Sequence, residues 1–148
     1  MYSNGIQIYR KTNVVTADPK RLVLVCYEGA IDCLKIGKQK ITDGDLEGKG
    51  ENSAKARDIL YELKASLNFE QGGTVAANLD SLYNYMLKRI TEADLENDVQ
   101  AFEDVIGMLG ELKSAWEEIF YNQKNSLGSE VAAPQDAGDG EIVSYSGV

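Results

Sequence analysis

The sequence has 148 residues, with 24 carboxylates against 15 lysines and arginines and a formal charge of −9. That is enough chain for one domain with its own core, at 43% hydrophobic and 26% charged content. The negative balance disfavours tracking a phosphate backbone or an anionic lipid surface, so neither nucleic acid nor membrane insertion is expected.

Residues 1–17 show no long periodicity. Ile6 and Tyr9 are three apart and can share one short apolar face. Thr16-Ala17-Asp18-Pro19 reads as a helix start, with Thr or Asp as cap and Pro in the first turn. The spacing then predicts a first helix over 19–42. Arg21, Glu28, Asp32, Lys35 and Gln39 form a narrow polar stripe. Leu22, Val25, Cys26, Gly29, Cys33 and Ile36 make one apolar side, and Leu24, Tyr27, Ile31 and Leu34 another. This arc exceeds the roughly 100° a surface helix needs. The helix is therefore either central and heavily buried, or it keeps apolar surface for a partner. Gly29 and Gly37 suggest close approach of another backbone.

Thr42-Asp43-Gly44-Asp45 is a turn. A second helix is expected over 45–70, with Ala56, Ile59, Leu60, Leu63 and Leu67 as its seam. Gly72-Gly73 should interrupt it, and Thr74 can cap a third helix running to Asp94. Val75, Leu79, Leu82, Tyr83, Met86, Ile90 and Ala93 fall on its core side. Asn78, Tyr85 and Arg89 line a separate flank, which either packs on a second neighbour or binds a ligand. Asn97 with Gln100 three residues on resembles a capping box for a fourth helix over 98–122. Phe102, Val105, Ile106, Leu109, Leu112, Trp116, Ile119 and Phe120 share its apolar face. Beyond 122 the chain is rich in Gly, Ser, Ala, Asp and Pro, and a flexible acidic tail is expected over 123–148. The fold class is all-α: an antiparallel up-down-up-down four-helix bundle over 18–122.

Several chemistries lack their residues. With no histidine in the chain, His-based acid–base work and Glu-x-x-His metal sites are excluded. There is no phosphate-binding glycine loop. Glu28 and Asp32 lie one turn apart on a helix, but no nucleophile or metal set accompanies them, and such a pair is ordinarily solvated. No enzymatic activity, metal or cofactor is expected. Cys26 and Cys33 are seven apart, roughly 10 Å along a helix, too far to pair. The N-terminal stretch MYSNGIQIYRKT lacks the apolar segment of a secretion signal. Free thiols and no signal make a cytoplasmic location the expectation.

Taken in order, these segments resemble one family, the flagellar export chaperone FliS. The likeness runs from about residue 9 to 120. Tyr9 and Thr16-Ala17-Asp18-Pro19 are similar to the family's start, with Asp18 where a Ser is usual. Leu22 through Ile31, LVLVCYEGAI, resembles its first helix. Lys55-Ala56, Ile59-Leu60 and Glu62-Leu63 resemble the second. Asn78-Leu79, Leu82-Tyr83, Tyr85-Met86 and Arg89 resemble the third, and Leu112 with Trp116 the fourth. The long acidic tail departs from the family's short end.

The resemblance implies a chaperone without ATPase activity that holds the disordered C-terminal segment of flagellin. That segment folds into helices on the chaperone, which prevents premature polymerisation and keeps it competent for type III export. It also implies an N-terminal lid over residues 1–17, carried here by Ile6 and Tyr9. Leu24, Tyr27, Ile31 and Tyr85 are the groove candidates, and Asn78 and Arg89 the polar contacts to a bound backbone or carboxylate. Other flagellar assembly factors are further candidate partners, as is a homodimer in the client-free state. The competing expectation is a self-associating structural bundle with no client.

Overall fold

The computed structural model describes residues 18–122. Among them are four helices and no strands: α1 (Pro19–Asp43), α2 (Leu46–Ala65), α3 (Phe69–Glu96) and α4 (Val99–Tyr121). Interhelical ion pairs fix their directions. Lys49 near the start of α2 meets Asp94 near the end of α3, and Lys64 meets Asp80. Lys38 late in α1 meets Glu103 early in α4, while Glu28 meets Lys113. Each pairing runs opposite, so neighbours are antiparallel. α1 packs on α2 and α4, and α3 packs on the same two helices. This is the expected up-down-up-down ring. The α1–α2 seam is the most extensive and the α3–α4 seam the least.

Local chemistry sets the boundaries. Asp18 accepts from the Lys20 amide at 3.0 Å, with Pro19 following, so α1 starts where the sequence indicated. It ends on Gly44 in the left-handed region, whose amide bonds back to Ile41 and Lys40. Asp45 caps α2 through the Gly48 amide at 2.9 Å. A side chain at Gly48 would meet that carboxylate at 2.6 Å, so the glycine makes room for the cap. Gly37 also makes room, but for the Phe102 ring edge of α4, 3.2 Å from where a Cβ would stand. What approaches there is an aromatic ring rather than the expected backbone.

Three boundaries differ from the sequence expectation. α2 stops at Ala65 instead of 70, because the Ser66 hydroxyl turns back to the Leu63 carbonyl at 2.8 Å. Asn68 then caps α3 through the Gln71 amide, so this helix begins before the glycine pair. The predicted interruption survives inside it as a kink at Gly73, with φ 50° and ψ −126°. The Asn97–Gln100 capping box does not form. Asn97 adopts φ 54° and closes α3, Asp98 caps α4, and Gln100 bonds Asp104.

The core joins Tyr27, Ala30 and Leu34 of α1, Ile59, Leu60 and Leu63 of α2, Tyr83, Met86 and Ile90 of α3, and Phe102, Val105 and Leu109 of α4. Gly73 should resist substitution, since its left-handed φ strains any L side chain although the space around it is open. Gly73→Ala should lose about 1–3 kcal/mol in urea denaturation. Gly107→Ala, in open space within α4, should instead gain up to about 1 kcal/mol.

Candidate functional site

Helix rotation decides which apolar residues remain outside. In α3, Leu79, Tyr83, Met86, Ile90 and Ala93 are buried as expected, joined by Ala76 and Leu87. Val75 and Leu82, expected in the same seam, are not. They are 53% and 36% exposed, and Tyr85 is 48% exposed. Successive residues turn by about 100°, so Val75, Asn78, Leu82, Tyr85 and Arg89 form one stripe along the edge of the buried face.

That edge faces α4. Arg89 donates to Asp104 of α4 at 2.8 Å and to Glu92 of its own helix at 3.0 Å. These two carboxylates, Asp104 first, hold the guanidinium more firmly protonated than usual. Asp104 is in turn held below the ordinary carboxylate range by Gln100 and then Arg89. Counting along the antiparallel helices from this ion pair places Tyr85 near the level of Met108, Leu82 within one residue of Leu112 and Asn78 near Ala115. Met108 and Leu112 are half-buried against the core. The exposed apolar stripe of α3 therefore lies on its α4-facing side, between the Arg89–Asp104 bridge and the Gly73 kink.

The other candidates fall elsewhere. Leu24 is 2% exposed and Tyr27 fully buried, so neither lines an open groove. Ile31 is half-buried against the core. The apolar surplus expected on α1 is largely enclosed, because α2 and α4 take its two flanks. Ile36 stays 46% exposed. Asn78 is exposed on the stripe. Arg89, expected to contact a ligand, is committed to the α3–α4 bridge. Ile6 and Tyr9 lie outside the described residues. Leu82, Val75, Met108 and Leu112 were not singled out as site residues. Leu82 and Val75 carried a signal in their position at the edge of the apolar arc, but an edge residue of that kind reads as core.

A buried polar cluster joins α1, α3 and α4. The Tyr27 and Tyr83 hydroxyls are 2.6 Å apart, and Trp116 Nε1 donates to the Tyr27 hydroxyl at 3.0 Å. Burial pushes the Tyr27 phenol up to about 12, although the hydrogen bonds from Tyr83 and Trp116 pull the other way. Burial, and then the adjacent Tyr27, push Tyr83 up as well. Trp116 also stacks on Phe120 at 5.2 Å. Cys26 and Cys33 are thiols, and burial raises the Cys33 thiol, which suits packing rather than reactivity. No three carboxylates or thiols among the described residues could hold a metal. No helix among them is long and apolar enough to cross a membrane.

The family model described as "Flagellar protein FliS" matches residues 2–123. The chain belongs to the FliS family. It is 39% identical over 131 residues to the flagellar secretion chaperone FliS of Vibrio cholerae, covering 86% of this chain and 96% of that one. It is 38% identical over 125 residues to the Salmonella typhimurium protein of the same name, covering 80% and 93%. The Bacillus subtilis flagellar secretion chaperone FliS shares 30% over 121 residues, covering 82% and 90%.

The tyrosine pair makes stability depend on alkaline pH. Both phenols titrate above their unfolded value of about 10, so the folded chain keeps protons that the unfolded chain has lost. The associated stability is full below pH 10 and falls as pH rises toward 12. For Tyr27 the loss should reach about 2–3 kcal/mol. Urea titrations at pH 8 and pH 11.5 should show this loss. Tyr27→Phe should reduce the difference, despite a lower starting stability from the stranded Trp116 donor.

Proposed function

We propose that this chain is a flagellar export chaperone that binds the disordered C-terminal segment of flagellin, prevents its premature polymerisation and keeps it competent for type III export. The observation that carries this reading is the exposed Val75–Leu82–Tyr85 stripe beside Met108 and Leu112. An amphipathic helix binds by laying anchors at i, i+3, i+4 and i+7 into such a channel. A disordered client bears ordering costs of about 2–5 kcal/mol or more, so it must cover a large apolar area. Asn78, exposed on the stripe, can serve a bound backbone. Tyr85 is the aromatic anchor, and Ile31 packs half-buried against the core from α1.

Leu24, Tyr27 and Arg89 act through the fold in this reading. Leu24 and Tyr27 are interior, and Arg89 ties α3 to α4. Ile6 and Tyr9 belong to the proposed lid, a segment that competes with the client for apolar surface and lowers its apparent affinity. The work takes place in the cytoplasm, before export, and consumes no nucleotide. The open stripe would equally support a homodimer when no client is present.

Titration with a peptide of the flagellin C-terminal segment tests this, using the single tryptophan, Trp116, as a fluorescence reporter. Tyr85→Ala and Leu82→Ser should each weaken binding about tenfold or more, with melting temperature nearly unchanged. Tyr27→Ala should instead cost about 3–5 kcal/mol of stability. Affinity should vary little between low and high salt. Unchanged binding in both stripe variants would overturn the assignment of the channel.

A further inference from the structure

We infer that the bundle end formed by the α1–α2 and α3–α4 links is a separate docking surface, suited to a basic amphipathic helix of a partner protein. Three large apolar side chains from three helices stand open there. Leu46 is 53%, Leu95 78% and Val99 38% exposed. Leu95 is more exposed than any other large hydrophobe of the described residues. Single exposed leucines are ordinary, but three gathered at one end are not.

Their neighbourhood is held together from below. The Lys49 ammonium, nearly buried, bonds the Asp94 carbonyl and the Asn97 side chain and pairs with the Asp94 carboxylate at 3.3 Å. This clamps the first turn of α2 against the α3–α4 link, which fixes the helix ends that carry Leu46, Leu95 and Val99 at the same end of the bundle. Around them, residues 40–49 and 94–99 carry Asp43, Asp45, Glu47, Asp94, Glu96 and Asp98 against only Lys40 and Lys49. Lys40 is paired with Asp45 at 3.4 Å. Asp45 and Asp98 cap helices and Asp94 pairs with Lys49 and Arg57, but the charge at this end stays net negative, and the carboxylates do not converge as a metal set would.

Charge selects the occupant. A second copy would bring the same carboxylates face to face. Residues 123–148 carry four acids against one base, so they share the wrong sign. The start of α1 lies at the far end, a helix length of about 37 Å away. A helix with an apolar stripe edged by lysine or arginine satisfies both the leucines and the carboxylates. This surface is distinct from the α3–α4 channel and does not depend on its assignment.

A synthetic Leu/Lys amphipathic helix is the probe, with its Leu/Glu counterpart and oligolysine as controls, titrated into the full chain by calorimetry and amide NMR. The Leu/Lys helix should shift amides around Leu46, Leu95 and Val99. Its binding should fall about tenfold or more in Leu95→Ser and weaken with salt. Tyr85→Ala should bind it normally, and the Leu/Glu helix should not bind. Equal binding of oligolysine, shifts confined to the α3–α4 channel, or indifference to Leu95→Ser would overturn the proposal. So would a Leu95-dependent dimer in sedimentation. Tighter peptide binding on Arg10→Ser with Lys11→Ser would assign the surface to the chain's own N-terminal segment instead.

Discussion

One buried hydroxyl governs how the helices are turned. Tyr27 of α1 meets Tyr83 of α3 and receives the Trp116 indole of α4. Three helices are thereby fixed about their own axes. A buried polar group left without a partner costs about 1–3 kcal/mol, so rotating any one of them is penalised. With Tyr83 directed inward, Tyr85 must lie about 200° round the same helix, on the open flank. The interior bond thus determines which residues reach solvent, and a site at the surface is specified from the core.

The distribution of apolar area follows from that rotation. α1 has a wide apolar arc and spends it on α2 and α4. α3 has a narrower arc, yet leaves Val75, Leu82 and Tyr85 outside, because its contact with α4 is thin and is bridged by Arg89 and Asp104. The excess therefore sits on α3, where a conventional seam was expected.

The helices, their order and most of their interior were legible in the chain, since the 3.6-residue period and caps such as Asp18 are local signals. Asn68 was missed because a cap can be read only with knowledge of which residue stops being helical. The capping box at Asn97 failed because one asparagine had to serve the end of α3, which left Asp98 to begin α4. The site was harder to read. Tyr27 and Tyr85 look alike as tyrosines on apolar helices, and only the rotation set by long-range hydrogen bonds separates core from surface. Arg89 was read as a polar contact to a ligand, but its partner lies fifteen residues away on another helix, beyond any periodic pattern.

The Arg89–Asp104 bridge and the Gly73 kink also act as a ruler. They flank the exposed stripe at its two ends, and the sixteen residues from one to the other span about 24 Å of helix. On the function proposed above, a guest helix of four to five turns would match that length, and a longer one would run past the exposed apolar residues at either end.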